Sequence, residues 1–208
     1  MSMSEYTPEV ALGMAQRLKY RYIAVLCGVI LLNFLLLRFV LPPQYDWLKY
    51  ISVLALIFYV ILLTMYKFNA KFPPPEYSSV TSPIHGKVVM IKAEPNGHLI
   101  TIKKTILKAC EIVSTTISDL PNTIDMDSEQ VSWQILGLET DSFLKNFAKV
   151  FIDETIPYQG ILVGLVPGNA TCEVFLPKKY VINIRMGDDV EAGYSILGYV
   201  SEEDLTMN

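Results

Sequence analysis

The chain has 208 residues, 51% of them apolar, and carries 17 Lys/Arg against 21 Asp/Glu for a formal net charge of −4. That balance disfavours nucleic acid as a partner, because phosphate binding needs a cationic footprint. Three scattered cysteines, Cys27, Cys110 and Cys172, form neither a disulfide framework nor a metal-ligand spacing, so buried thiols and no metal site are expected.

The composition changes along the chain. Residues 1–76 hold seven Lys/Arg and four Asp/Glu, whereas the remainder holds ten and seventeen. Residues 1–21 read as a cytoplasmic lead-in, in which Pro8 to Lys19 forms a short helix running on into the next segment. Two nearly continuous apolar stretches follow, Tyr22 to Leu41 and Trp47 to Tyr66. Each is close to the roughly 20 residues a helix needs to cross about 30 Å of hydrocarbon. Pro42-Pro43-Gln44-Tyr45-Asp46 between them can only turn the chain. Residues 22–71 are therefore expected to be a transmembrane helical hairpin, and its length and second span argue against a cleaved signal peptide.

Arg17, Lys19 and Arg21 precede the first stretch, and Lys67 and Lys71 follow the second. Basic residues favour the cytoplasmic side. The expectation is a multi-pass integral membrane protein of two spans, with both termini and the soluble domain cytoplasmic. Arg38, Tyr45, Trp47 and Tyr66 read as membrane-interface anchors touching membrane lipids. Asn33, polar at mid-span, is expected to hydrogen-bond a neighbouring helix, from an integral membrane protein partner or a second copy in a homo-oligomer.

Residues 72–76, Phe72-Pro73-Pro74-Pro75-Glu76, form a stiff linker that ends the second helix. Residues 77–200 alternate and turn like a soluble β-rich domain of roughly 125 residues, enough for one hydrophobic core. Val80 to Ile91 reads as strand, turn and strand, with Pro83-Ile84-His85-Gly86 as the turn. Glu94-Pro95-Asn96-Gly97 is a tight turn. Further strands are expected at His98 to Ile106, Ile112 to Ile117, Val131 to Leu136, Gly160 to Val166, Cys172 to Leu176, Tyr180 to Ile184 and Ser195 to Val200. Leu120 to Gln130 reads as a surface loop. Asp141 to Phe151 is the one helix candidate, with Phe143, Leu144, Phe147, Ala148 and Phe151 on one face. Residues 201–208 form an acidic tail.

Three segments carry a resemblance. Val80-Thr81-Ser82-Pro83-Ile84-His85-Gly86-Lys87-Val88-Val89 is similar to the "S-P-A-D-G-x-V" segment of phosphatidylserine decarboxylases. The run from Val163 to Pro177, including Pro167-Gly168-Asn169-Ala170-Thr171, resembles that family's "V-G-x-I-x-F-G-S-x-V-x-V-x-L-P". Met186-Gly187-Asp188-Asp189-Val190-Glu191-Ala192-Gly193 looks like its closing "V-G-D-x-V-x-A-G", a motif also shared by biotinyl, lipoyl and membrane-fusion adaptor domains. The resemblance implies a barrel-sandwich hybrid, phosphatidylserine-decarboxylase-like fold behind the helical hairpin.

The family's chemistry does not carry over with the pattern. Its members cut themselves at a Gly-Ser bond, and the serine becomes a pyruvoyl group. The matching pair here is Gly168-Asn169, and asparagine has no hydroxyl to attack the preceding carbonyl. The family's aspartate falls on His85, and its histidine-containing middle motif has no counterpart. Gly168, Asn169 and His85 are thus degenerate catalytic positions, and no pyruvoyl cofactor is expected. A turn histidine making one structural hydrogen bond accounts for His85, and a turn residue tolerant of left-handed backbone accounts for Asn169.

The functional expectation is a non-catalytic, membrane-anchored accessory or scaffold subunit of a membrane assembly. A related lipid enzyme with an atypical site is the first alternative. A membrane-fusion-type adaptor of a transport or secretion system is the second, although no coiled-coil heptads separate its two half-motifs.

Overall fold

The computed structural model describes residues 8–40, 49–67, 79–115, 120–121, 124–136, 149–150 and 159–201. Helix α1 spans Pro8–Leu35 and passes into a five-residue π-helical segment, Leu36–Val40; helix α2 spans Lys49–Met65. Twelve strands follow: β1 Ser79–Thr81, β2 Gly86–Glu94, β3 Gly97–Lys104, β4 Glu111–Val113, β5 Leu120–Pro121, β6 Ser132–Leu136, β7 Lys149–Val150, β8 Leu162–Leu165, β9 Ala170–Pro177, β10 Tyr180–Ile182, β11 Asp189–Val190 and β12 Ile196–Val200.

The transmembrane hairpin is overturned. Among the described residues, no helix is long and apolar enough to cross a membrane. Helix α2 has 17 residues, which at 1.5 Å of rise gives about 25 Å, short of the hydrocarbon thickness. Helix α1 is longer at 28 residues, but its first half is the charged lead-in carrying Arg17, Lys19 and Arg21. The apolar α-helical part from Tyr22 to Leu35 runs roughly 14 residues, about 21 Å, before the winding changes. The expected two-span integral membrane placement, and the cytoplasmic orientation built on it, fall with the spans.

The two helices do touch each other. Tyr22 stacks on Tyr66 with ring centroids 5.7 Å apart, and Asn33 Nδ2 donates to Ser52 Oγ at 2.7 Å. Ala55 is buried on the same side of α2.

The remainder is mostly β. The largest sheet has six strands in the order β11-β2-β3-β9-β6-β5 and curls as a half-barrel. Two three-stranded sheets, β1-β12-β10 and β4-β8-β7, complete the arrangement. The expected fold class, a helical hairpin ahead of a barrel-sandwich hybrid, is replaced by this curled sheet with its two small companions. Pairing is antiparallel except between β5 and β6.

Strands β3 and β9 run together for eight registered pairs, from Gly97 with Pro177 to Lys104 with Ala170. Their alternation sends Ile100 and Ile102 from β3, and Cys172, Val174 and Leu176 from β9, into one core with Trp133, Ile84, Ile112 and Leu197. β-branched side chains fit this pleated, half-covered surface. The surface-loop expectation for Leu120 to Gln130 is modified at its start, where Leu120–Pro121 pairs with β6. Most of the Asp141 to Phe151 helix candidate lies outside the described residues. Its described part, Lys149–Val150, is strand and pairs with β8. The linker 72–76 and the tail from residue 202 also lie outside them.

Candidate functional site

Four chain segments converge on one buried polar cluster. The turn between β1 and β2 supplies His85, and Gly86 lets it sit close: a Cβ there would lie 2.7 Å from both the Ile102 side chain and the Lys103 carbonyl oxygen. The end of β3 supplies Lys104, which shares the core-facing side of Ile100 and Ile102 by strict alternation. The start of β4 supplies Cys110 and Glu111. The turn between β8 and β9 supplies Gly168 and Asn169, with Gly168 at φ 88°, a left-handed conformation that glycine adopts without strain.

The contacts are short. His85 Nε2 and Glu111 Oε1 are 2.6 Å apart, and both side chains are buried. Lys104 is wholly inaccessible. Its Nζ donates to the Gly168 carbonyl oxygen at 2.8 Å and, at 3.5 Å, reaches the carbonyl of Thr105. Asn169 is exposed, and its Oδ1 accepts from the Ile106 N–H at 2.9 Å. The cluster is tied to its surroundings through Cys110, whose carbonyl accepts from Val166 N–H and whose own N–H donates to the Lys67 carbonyl at the end of α2, both at 2.7 Å.

Burial lowers the Lys104 ammonium to about 8, against the pull of Cys110 and the Glu111 carboxylate, which favour its charge. Burial raises the Cys110 thiol to about 12, and the Glu111 charge adds to the effect. Burial likewise pushes the Cys172 thiol up. Both thiols are protonated at neutrality and poor nucleophiles. Among the described residues, no group of three His, Cys, Asp or Glu side chains is placed to hold a metal ion.

Chemically, the cluster offers a His–Glu pair, a buried amine and a polarised peptide carbonyl at Gly168. It offers no oxygen nucleophile beside that carbonyl. The amide of Asn169 is engaged in the turn through its oxygen, and Thr171 pairs with Lys103 and Leu136 in the sheet.

The degenerate positions His85, Gly168 and Asn169 are thus brought to one neighbourhood. His85 makes its bond to a carboxylate across the fold, which is more than a local turn contact. Asn33 is buried between α1 and α2, and its amide serves the contact between two helices of the same chain. Tyr66 is 1% exposed and packs on Tyr22, a buried aromatic in place of an interfacial anchor. Arg38 is exposed in the π segment, while Tyr45 and Trp47 lie outside the described residues.

Sequence reasoning did not single out Lys104 or Glu111. Lys104 left a signal: it occupies the third inward position of the alternation Ile100, Ile102, Lys104, where a charge has no ordinary reason to be. Glu111 left none, because its partners come from positions 26 or more residues away in other turns. No family model matches the chain, and no curated protein and no solved structure matches it either.

Proposed function

We propose that the chain is a non-catalytic accessory or scaffold subunit of a larger protein assembly, in which the β domain is a rigid platform and the helix pair is the docking element. The carrying observation is the surface of that pair. Val25, Leu31, Leu32, Phe34 and Phe39 from α1 and its π segment are exposed, as are Leu54, Leu56, Ile57, Phe58 and Val60 from α2. Monomer surfaces carry apolar side chains singly, and a contiguous patch of this kind marks an interaction site. Apolar helices of another subunit, or of a second copy, have the matching chemistry.

The engagement of Asn169 supports the non-catalytic part, since the side chain beside the Gly168 carbonyl is committed to the Ile106 N–H. Bifunctional thiol cross-linking through exposed Cys27, applied to the full chain in native extract, tests the docking role. A cross-linked species is expected, and Ile57→Lys should abolish it. A chain that remains uncross-linked and monomeric overturns the reading.

A decarboxylase-related enzyme with an atypical site is the second reading, favoured by the Lys104 contact on the Gly168 carbonyl beside the His85–Glu111 pair. Intact mass separates the two. Self-processing splits the chain after Gly168 and blocks the new terminus, whereas the scaffold reading expects one species of 23.5 kDa.

A further inference from the structure

We infer that Lys104 is a proton-controlled clamp on the Gly168–Asn169 turn, holding it closed while charged and loosening it when neutral. The geometry carries the assignment. The ammonium is fully buried, and its one short bond, 2.8 Å, goes to the carbonyl of Gly168, 64 positions away in sequence. That carbonyl belongs to the peptide whose N–H is Asn169's, at the single left-handed residue of the turn. A charged donor makes a bond roughly twice as strong as a neutral amine does. Loss of one proton therefore weakens the only side-chain tie from β3 to this peptide plane, among the described residues.

The groups facing Lys104 set when this happens. Glu111 and Cys110 from β4 favour the charged amine, and His85 from the β1–β2 turn pairs with Glu111 and so shares its carboxylate. Burial opposes them and brings the proton loss into the mildly alkaline range. The result is an opposition between scales. Losing a buried charge favours the folded state as a whole, while losing a charge-assisted bond frees the turn locally. Cooperative unfolding cannot produce that pairing, because it would move both in the same direction.

Amide hydrogen exchange on the full chain, corrected for intrinsic base catalysis, reads it directly. Between pH 7 and pH 9 the protection of the Asn169 amide is expected to fall roughly fivefold, while that of Val174 in mid-β9 holds or rises. In Lys104→Arg, whose guanidinium stays charged, the Asn169 fall should vanish. The Lys104 side-chain carbon next to nitrogen, followed by NMR in the unaltered chain, should titrate with the same midpoint as the Asn169 protection, which keeps the test intact if the variant fails to fold. Unchanged protection at Asn169, a fall that persists in Lys104→Arg, or two different midpoints overturns the clamp.

Discussion

The helix pair and the β domain bury opposite kinds of side chain. In the β domain, Ile100, Ile102, Trp133 and Leu176 are sealed inside, and the charges buried with them are held by specific partners. In the helix pair, the inward stripe includes an amide–hydroxyl contact, Asn33 with Ser52, while leucines, isoleucines and phenylalanines face out. The first arrangement is complete within one chain. The second is stable only when something apolar covers it, so the molecule divides into a self-sufficient part and a part that is finished by association.

Truncating the largest sealed side chain should break the first part hardest. Trp133→Ala is expected to cost about 3–5 kcal/mol in denaturant unfolding, whereas Leu32→Ala on the helix surface should change β-domain stability by less than about 0.5 kcal/mol. If the two costs are alike, the division between the regions is wrong.

Removing one member of the buried ion cluster comes next. Glu111→Gln deprives His85 and Lys104 of their carboxylate and should destabilise by about 2–3 kcal/mol. Lys104→Met, which removes a buried charge and keeps an apolar stem, should cost far less. Equal losses from the two would mean that packing, not charge, governs the site.

The pH dependence follows from signs. Lys104 is lowered from its ordinary value of 10.5 to about 8 on folding. Between those two values the unfolded chain binds more protons, and stability rises with pH. The contribution from pH 8 to 9 is about 1 kcal/mol, seen as the difference between the unaltered chain and Lys104→Met. Cys110 acts in the other direction, because its folded-state value is about 12 and its unfolded value 9.0. Above pH 9 the unfolded thiol ionises while the folded one does not, and stability falls. The smallest effect belongs to the helix contact: Asn33→Ala should weaken the α1–α2 pairing by about 1 kcal/mol, read as earlier loss of helical circular dichroism on heating.

Local pattern made much of the β domain legible. The alternation in His98 to Ile106 and Cys172 to Leu176, and the turn residues at Glu94-Pro95-Asn96-Gly97, correspond to β3, β9 and the hairpin loop between β2 and β3. What failed was a length argument: apolar residues from Tyr22 to Leu41 were counted as one helix, while the α-helical winding stops at Leu35. Hydropathy reports composition and is blind to such a change of winding. The site was half legible, since turn motifs mark His85 and Gly168, but the bond between His85 and Glu111 depends on strand order and has no local signature.

The bond from the Cys110 N–H to the Lys67 carbonyl gives α2 a fixed root beside the ion cluster. A helix rooted at one end is a lever. Tilting it about 10° at that root would carry its far end, about 25 Å away, through roughly 4 Å. Whatever grips the distal apolar surface therefore gains mechanical advantage over the few atoms around Cys110, and a force applied there arrives multiplied at the threshold of the β domain.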